Sequence, residues 1–183
     1  MATGAGAGGG AADMAVAIGL GSNLADPVHQ VRHALGDLGD LPDTCLIRHS
    51  ALYQSSPVGP QDQPDFINAV ALLDTRLAPP SLLDLLQSLE QAAGRVRRRH
   101  WGERTLDLDI LLWHDQCIDL PRLQVPHPQM CRRAFVLRPL LDLIPAATLP
   151  DGTRLQDHWM AVTDQPLRRL SCLKEDQLAQ RTH

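Results

Sequence analysis

The sequence predicts an α+β fold in which helices pack on an antiparallel sheet, and three observations support this. Short apolar runs typical of strands alternate with two amphipathic helix patterns. Proline and glycine mark where the elements begin and end. With 183 residues and 44% hydrophobic content, the chain can build one core. We therefore expect a single domain over residues 13–183, preceded by a disordered Gly/Ala-rich tail over residues 1–12.

The first half of the chain predicts a strand, a helix and two further strands. The apolar run at residues 14–20 is the first strand candidate. Asp26 and Pro27 then provide an N-cap and a first-turn proline, and apolar residues continue at helical spacing until Gly39. Residues 47–54 and 66–75 are the next strand candidates, and the proline-rich segment between them predicts a shaped loop.

The second half predicts a helix, a strand and an irregular extension. A leucine-rich helix begins at Pro79, presents a broad apolar face and ends at Gly94. A strand follows at residues 105–113, so the order is β-α-β-β-α-β, which is typical of ferredoxin-like folds. The Pro-rich remainder, from about residue 120, should cover one face of the sheet with short helices and a small hairpin near Asp151 and Gly152.

Two aspartates on the last predicted strand are the clearest sign of chemistry. Alternation places Asp107 and Asp109 on one face, with their carboxylates about 6–7 Å apart. Neighbouring carboxylates repel unless a cation lies between them, and Mg²⁺ with phosphate oxygens fits such a pair. The alternative is an exposed strand face whose aspartates meet water. We expect the apolar residues of the other face to point to the core: Leu106, Leu108, Ile110 and Leu112.

Three weaker patterns accompany the aspartates. An arginine cluster (residues 95–104) in a chain whose single lysine is Lys174 suits bidentate phosphate binding, although a solvated charged turn is equally possible. His127 lies between two prolines, with Arg133 just downstream, in a rigid loop that could contact phosphate. Phe66 and Asn68 share a strand face and could hold a flat heterocycle, but locally a core aromatic and an edge amide are the likelier interpretation.

Several classes of function are disfavoured by composition and pattern. A net charge of −4 does not favour a nucleic-acid partner, and no apolar run reaches the roughly 20 residues that span a bilayer. The N-terminal run lacks the features of a signal peptide, and four cysteines without a CxxC pair favour the reducing cytoplasm. The Gly19–Asn23 segment lacks the third glycine of a dinucleotide-binding loop, so we interpret Gly21 and Asn23 as turn residues at a wall of the site. We expect a monomer.

Taken together, these segments resemble the 6-hydroxymethyl-7,8-dihydropterin pyrophosphokinase family of folate biosynthesis. The matching stretches occur in family order: AIGLGSNL (17–24), SSPVGPQDQPDFINA (55–69), GRVR (94–97), WGERTLDLDILLW (101–113) and VPHPQMCRRAFVLRPL (125–140). The resemblance implies a ferredoxin-like fold with C-terminal elaborations, ATP as co-substrate and two Mg²⁺ ions. It further implies transfer of the ATP diphosphate to the hydroxymethyl group of the pterin, with release of AMP. The hydroxyl needs help to lose its proton, which either Asp109 as a base or coordination to the metal could provide.

The resemblance also assigns roles to individual residues. It implies catalytic roles for Asp107, Asp109, Arg95 and Arg104, with the metal held by Asp107 and Asp109. It implies ATP binding by Gln87, Glu90, Arg97, Trp101, Ile110, Arg122, His127, Pro128 and Arg133. It implies pterin binding by Ser55, Ser56, Val58, Phe66, Asn68 and Phe135. Glu103 departs from the family pattern, because proline is usual there. The competing hypothesis is a non-catalytic ferredoxin-like module that senses a nucleotide or another ligand.

Overall fold

The computed structural model of the protein describes residues 15–59, 62–94 and 105–171. Within these residues the strands are β1 (Val16–Ser22), β2 (Thr44–His49), β3 (Tyr53–Ser55), β4 (Phe66–Thr75), β5 (Asp107–Trp113), β6 (Ile118–Leu120), β7 (Leu123–Val125) and β8 (Leu167–Arg169). The helices are α1 (Pro27–Gly39), α2 (Pro79–Ala92), α3 (Ala134–Leu143) and α4 (Leu155–Met160), with a 3₁₀ turn at Met130–Arg132. None of these helices is long and apolar enough to cross a membrane.

The main sheet follows the order β5-β1-β4-β3-β8, and β2 pairs with β4 as well. Each pairing in it is antiparallel. Strand β4 is central because it receives β1 on one side and both β2 and β3 on the other. This arrangement is the strand order of a ferredoxin-like sheet, with β8 added beside β3, so the predicted fold class is confirmed.

Helices cover both faces of this sheet. On one face, α1 and α2 insert Val31, Leu38, Leu82 and Leu86 into a core with Ile18. On the other, α3 and α4 form a second core through buried residues that include Leu137, Leu140 and Leu155. The two helices predicted from the first part of the chain therefore build one layer, and the C-terminal extension builds the other.

The predicted helix boundaries are confirmed in both long helices. In α1 the Asp26 carboxylate accepts a hydrogen bond from the backbone N–H of His29, which satisfies one of the donors left open at a helix N-terminus. Gly94, just beyond α2, has a positive φ of 77°. This conformation suits glycine, and it ends the helix where the sequence predicted.

The strand predicted at residues 47–54 is wrong as a single element. The structure has two strands there, β2 and β3, and both pair with β4. Ser50 lies at the break: its N–H donates to the Val70 carbonyl, and its hydroxyl accepts from the Val70 N–H. A serine side chain thus replaces one backbone partner of the ladder, which lets the chain turn without leaving a buried donor open.

The expected orientation of Leu112 is also wrong. Between β1 and β5 the register shifts, so that Ile18 faces Ile110 while Ala17 faces Leu112. This β-bulge places one extra residue in β5 and reverses the alternation beyond it. Leu106, Leu108 and Ile110 point to the α1–α2 core as predicted. Leu111 and Leu112 instead pack in the core beneath α3.

The C-terminal extension contains two small hairpins among its described residues. The predicted turn near Asp151 is present: the Leu149 N–H donates to the Thr153 carbonyl, and Thr148 forms an isolated bridge with Arg154. A second hairpin, β6–β7, precedes it and was not predicted. The short strands of this second hairpin have too little periodicity to be recognised from the sequence.

Candidate active site

The floor of the site is a pair of cross-strand rows on the α3 face of the sheet. In one row, Gly21 of β1 lies between Asn68 of β4 and Asp107 of β5. In the next row, Gly19 pairs with Asp109 on one side and with Val70 on the other. The interpretation of Gly21 as a turn residue is therefore wrong, because it belongs to β1. The two glycines leave open space between the aspartates and Asn68.

A first cleft, here called the aromatic cleft, opens above this floor. It is lined by Gly19, Leu20, Gly21, Ser55, Ser56, Val58, Phe66, Asn68, Ala69, Val70, Asp107, Asp109, Leu111, Arg133, Phe135 and Val136. The two phenylalanines of the chain, Phe66 and Phe135, both line it and are half-buried. The structure therefore brings together all six residues that the resemblance assigned to the pterin, next to both aspartates.

Asn68 is a buried amide whose orientation is set by β3. Its Nδ2 donates to Ser55 Oγ at 2.9 Å and lies 3.4 Å from the Tyr53 carbonyl oxygen. Its Oδ1 lies on the Gly21 side, where an added Cβ would come within 3.4 Å of it. A buried amide held in this way presents a defined hydrogen-bonding edge to a ligand. Ser55 thus orients Asn68 in addition to lining the cleft.

The loop that closes the aromatic cleft is attached to the end of β1. Buried Asn23 donates from Nδ2 to Gln63 Oε1 and to the Pro64 carbonyl, at 3.1 Å in each case. These bonds join β1 to the segment before β4. They support the expectation that Asn23 shapes a wall of the site.

A second cleft, here called the hairpin cleft, lies on the other side of Asp109. It is lined by Leu83, Leu108, Asp109, Ile110, Asp119, Leu120, Pro121, Arg122, Leu123, Gln124, His127 and Pro128. At its rim, the Arg122 guanidinium donates to Asp84 Oδ1 at 2.8 Å and to Gln87 Oε1 at 2.9 Å. Four residues that the resemblance assigned to ATP, namely Ile110, Arg122, His127 and Pro128, line this cleft. Gln87 borders it through Arg122.

Asp109 lines both clefts, and His127 stands beside it. The Nε2 atom of His127 is 3.9 Å from Asp109 Oδ2, and its Nδ1 accepts a hydrogen bond from the Gln129 N–H. Burial lowers the pKa of His127; Asp109 counteracts this effect, while Arg133 adds to it. The lowered pKa favours the neutral imidazole. In that form, because Nδ1 accepts, the proton is on the Nε2 that faces Asp109.

Glu90 lies behind β5, the strand that carries the two aspartates. Among the described residues, it is not part of the lining of either cleft. It is 4% exposed, and its Oε1 accepts a hydrogen bond from the Leu108 N–H at 2.8 Å. Leu108 is the residue between Asp107 and Asp109, on a strand at the edge of the sheet. In this structure Glu90 therefore holds the backbone that carries both aspartates.

Arg133 lines the aromatic cleft together with both aspartates and lies beside the Phe135 ring of α3. Its guanidinium carbon lies 5.7 Å from the centroid of the Phe135 ring, and both side chains line the aromatic cleft.

Four further predicted site residues lie outside the described residues: Arg95, Arg97, Trp101 and Arg104. Their assignments stay predictions.

Some residues that shape the site were missed at the sequence level. The sequence could have shown that Gly19 and Gly21 leave one face of β1 without side chains. Alternation points both glycines to one face, and Ile18 and Leu20 to the other. Buried Tyr53 and half-buried Gln165 gave no such signal, since their partners are far away in the sequence.

Comparison with known proteins gives a consistent result. A sequence model of the family described as 7,8-dihydro-6-hydroxymethylpterin-pyrophosphokinase (HPPK) matches residues 17–145. A Pseudomonas aeruginosa protein named 2-amino-4-hydroxy-6-hydroxymethyldihydropteridine pyrophosphokinase is 54% identical over 155 residues, covering 85% of this chain and 96% of the relative. A Haemophilus influenzae protein of the same name is 46% identical over 154 residues, covering 84% and 96%.

Solved structures agree on the fold. A Plasmodium falciparum HPPK-DHPS crystal structure with SDX-DHP matches with a TM-score of 0.61 at 16% identity, covering 80% of this chain and 43% of that one. Another, with pteroate, has a TM-score of 0.63 at 14% identity, covering 80% and 44%. The chain thus spans less than half the length of these two structures, and the likeness shows the fold alone. The match over residues 17–145 and the identity to full-length relatives show that the chain belongs to the 7,8-dihydro-6-hydroxymethylpterin-pyrophosphokinase (HPPK) family.

Proposed function

We propose that this protein transfers diphosphate from ATP to the hydroxymethyl group of 6-hydroxymethyl-7,8-dihydropterin and releases AMP. The observation that carries the proposal is the position of Asp109, which lines both the aromatic cleft and the hairpin cleft. A flat substrate in the first cleft and a nucleotide in the second would meet at this carboxylate. The hydroxymethyl oxygen would bond to the β-phosphorus of ATP as the bridge to the α-phosphate breaks. AMP would leave with the bonding electrons, and the hydroxyl proton would be released.

Asp107 and Asp109 would hold Mg²⁺. Both carboxylates are half-buried on neighbouring rows of an open glycine floor, and a pair of oxygen ligands suits a hard cation that completes its coordination with phosphate and water. When bound, Mg²⁺ would neutralise polyphosphate charge and align the reacting groups. We propose two ions, as the family resemblance implies. Asp107 and Asp109 would thereby anchor the polyphosphate at the junction of the clefts.

In the aromatic cleft, we propose that Phe135 and Phe66 stack on the pterin ring. Asn68, oriented by Ser55, would hydrogen-bond to an edge of the ring, while Ser56 and Val58 would border it from the loop. Aromatic stacking favours flat heterocycles, and the fixed amide selects for their hydrogen-bonding pattern.

In the hairpin cleft, we propose that apolar residues such as Ile110 and Pro128 contact the nucleoside of ATP. Arg122, held by Gln87 and Asp84, would present a cation at the rim.

Near the phosphates, His127 in its neutral form would donate from Nε2 to a phosphate or to Asp109. Arg133, which lines the aromatic cleft with both aspartates, would neutralise charge on the phosphates. Glu90 would act through the backbone of Leu108.

For the residues outside the described range, the proposal rests on the family resemblance. Arg95 and Arg104 would stabilise charge on the transferred group, and Arg97 and Trp101 would contact ATP. We also propose one domain over residues 13–183 that acts as a monomer in the cytoplasm, without a nucleic-acid or membrane partner. Light scattering of the purified protein would test the monomer.

The decisive test is the nucleotide product of turnover with ATP, Mg²⁺ and hydroxymethyldihydropterin. We expect AMP in equal amount to the pterin diphosphate, and production of ADP alone would reject the proposal. In Asp107→Asn, we expect a rate loss of about 100-fold or more, because one anchor of the metal is gone. Circular dichroism should show an unchanged fold. Asp115→Asn, at an exposed turn after β5, is the matched control and should retain the rate.

The same assay separates the enzyme from the non-catalytic nucleotide-binding module. Such a module would bind ATP but form neither AMP nor pterin diphosphate. Calorimetry adds a second criterion, because the enzyme should bind ATP weakly in the absence of Mg²⁺. A near-normal rate in Asp107→Asn would contradict the metal assignment but leave the reaction itself standing.

A further inference from the structure

The junction between the 3₁₀ turn and α3 carries two side chains of the aromatic cleft. Arg133 is the single residue between Arg132, where the turn ends, and Ala134, where α3 begins. Arg133 and Phe135 both line the cleft. Their directions therefore depend on the backbone conformation at residue 133.

The side chain at this junction cannot cap the helix that follows. The Arg133 carbonyl accepts from the Val136 and Leu137 N–H groups, but an arginine side chain offers only donors and so has no acceptor for the Ala134 N–H. The acceptor comes from the C-terminal extension. Gln165 Oε1 accepts a hydrogen bond from the Ala134 N–H at 2.9 Å.

The other end of the same amide binds the preceding peptide. Gln165 Nε2 donates to the Arg132 carbonyl oxygen at 2.9 Å. One planar group thus contacts the backbone immediately before and immediately after Arg133. A simple helix cap would need only the acceptor; the additional donor restrains the rotation of residue 133 on both sides.

The position of Gln165 itself is defined by the fold of the extension. Its backbone N–H donates to the Val162 carbonyl, and buried Val162 packs in the same core as Leu137 of α3. The bond that the Gln165 amide accepts from the Ala134 N–H is partly buried, whereas the bond that it donates to the Arg132 carbonyl is exposed. Residue 165 also lies outside the 17–145 stretch that matches the family model.

We propose that Gln165 is a positioning residue for the pterin site. By holding the peptides on both sides of Arg133, its amide sets the direction of Arg133 and the stacking plane of Phe135. This inference rests on the proposed function, since it concerns how the aromatic cleft receives the pterin.

The test uses two substitutions of different chemistry. Gln165→Met keeps the length of the side chain but removes both hydrogen bonds. Gln165→Glu keeps an acceptor for the Ala134 N–H and places a negative charge at a helix N-terminus, which favours stability. It also sets a carboxylate oxygen against the Arg132 carbonyl. Gln156, an exposed glutamine of α4, provides matched controls in Gln156→Met and Gln156→Glu.

Binding of 6-hydroxymethylpterin is measured by calorimetry on the full chain with Mg²⁺ and α,β-methylene-ATP. We expect both Gln165 variants to raise the pterin Kd about tenfold, since a small misplacement of a contact side chain weakens binding strongly. The Kd of the ATP analogue should rise clearly less than the pterin Kd. Of the two side chains that Gln165 directs, Arg133 alone is proposed to face the phosphates, and the hairpin cleft lies across Asp109. The melting temperature of Gln165→Glu should be at or above that of the wild type, and both control variants should bind both ligands normally.

Different failures have different meanings. Wild-type pterin affinity in Gln165→Glu would show a simple helix cap and overturn the inference. So would an equal loss of affinity for both ligands accompanied by a lower melting temperature, which indicates general destabilisation. If the wild-type protein binds no pterin at all, the proposed function fails and the inference fails with it. Binding by the wild type with unchanged variants overturns the inference alone.

Discussion

The two glycines of β1 determine what the aspartates and Asn68 can reach. Gly21 lies directly between Asn68 and Asp107 in the sheet, and Gly19 lies beside Asp109. Any larger residue would put atoms between the two aspartates and Asn68. A Cβ at Gly19 would also lie 3.3 Å from the Leu111 side chain, which is tight for a buried contact.

Gly21→Ala should therefore impair binding more than folding. The added methyl would occupy the floor and contact Asn68 Oδ1 at 3.4 Å, an ordinary contact distance that requires no rearrangement of the fold. We expect the pterin Kd to rise about tenfold, while the free energy of unfolding changes by less than about 1 kcal/mol. Calorimetry and urea denaturation measure the two effects.

Gly36→Ala is the matched control for this prediction. Gly36 is exposed in the middle of α1, and a Cβ there would meet nothing within 4 Å. Alanine should stabilise the helix by about 0.5–1 kcal/mol and leave pterin binding unchanged. Equal pterin affinity in Gly21→Ala and Gly36→Ala would show that the floor tolerates a methyl group.

At the scale of elements, hydrogen bonds attach both ends of α3 to other parts of the fold. Its N-terminus is held by Gln165, and the carbonyl of Leu143 at its end accepts from the Arg48 guanidinium at 2.8 Å. In its last turn, Asp142 accepts hydrogen bonds from both Tyr53 of β3 and Arg138 of α3. The helix that carries Phe135 is thus attached to the strand that orients Asn68.

Tyr53 provides a direct measurement of this link. Burial raises its pKa above the ordinary value of about 10, and the hydrogen bond to Asp142 adds to the increase. It is the single tyrosine of the chain, so the near-ultraviolet absorbance of tyrosinate reports on it alone. We expect its titration to be shifted upward in the folded protein and to return to about pH 10 in concentrated urea.

The sign of the stability effect follows from proton linkage. The folded state keeps the Tyr53 proton more tightly than the unfolded state, so its contribution is complete below about pH 10 and is lost as the pH rises from there towards the folded pKa. Urea midpoints should therefore fall in this alkaline range. Tyr53→Phe should abolish the absorbance change. It should also reduce the steepness with which the urea midpoint falls as the pH rises. A titration that is identical in the folded and unfolded chain would refute the buried link.

At the scale of the whole molecule, the two helix layers have different tasks. The α1–α2 layer packs against the face of the sheet that points away from the aspartates. The α3–α4 layer covers the other face, and the aromatic cleft opens beside α3. The hairpin cleft is completed by β6 and β7, so ligands placed in both clefts would touch several separate elements.

Such a site should couple ligand binding to global stability. With Mg²⁺ and α,β-methylene-ATP at about 100 times the Kd, the stabilisation is about 2.7 kcal/mol, or roughly 5–10 °C in melting temperature for a chain of this size. Removal of the metal with EDTA should abolish most of the increase, as should Asp107→Asn. Asp115→Asn should retain it. A full shift in the presence of EDTA would mean that ATP binds without the metal.

Local patterns in the sequence were sufficient to predict much of this protein. The N-cap at Asp26, the end of α2 at Gly94, strand β4 and the common face of Asp107 and Asp109 are all present in the structure. Each depends on residues within about four positions of one another, so helix capping and strand alternation are sufficient to predict it. The fold class followed from the order of these elements.

Tertiary structure decided the features that depend on distant partners. The bulge that turns Leu112 towards α3 arises from the register of β5 on β1, and the break at Ser50 depends on its pairing with Val70. Asp109 lines two clefts only because β5 meets both α3 and the β6–β7 hairpin. Gln165 reaches the junction at Arg133 from more than 30 residues away. Contacts of this kind depend on which elements meet in space, which no local periodicity encodes.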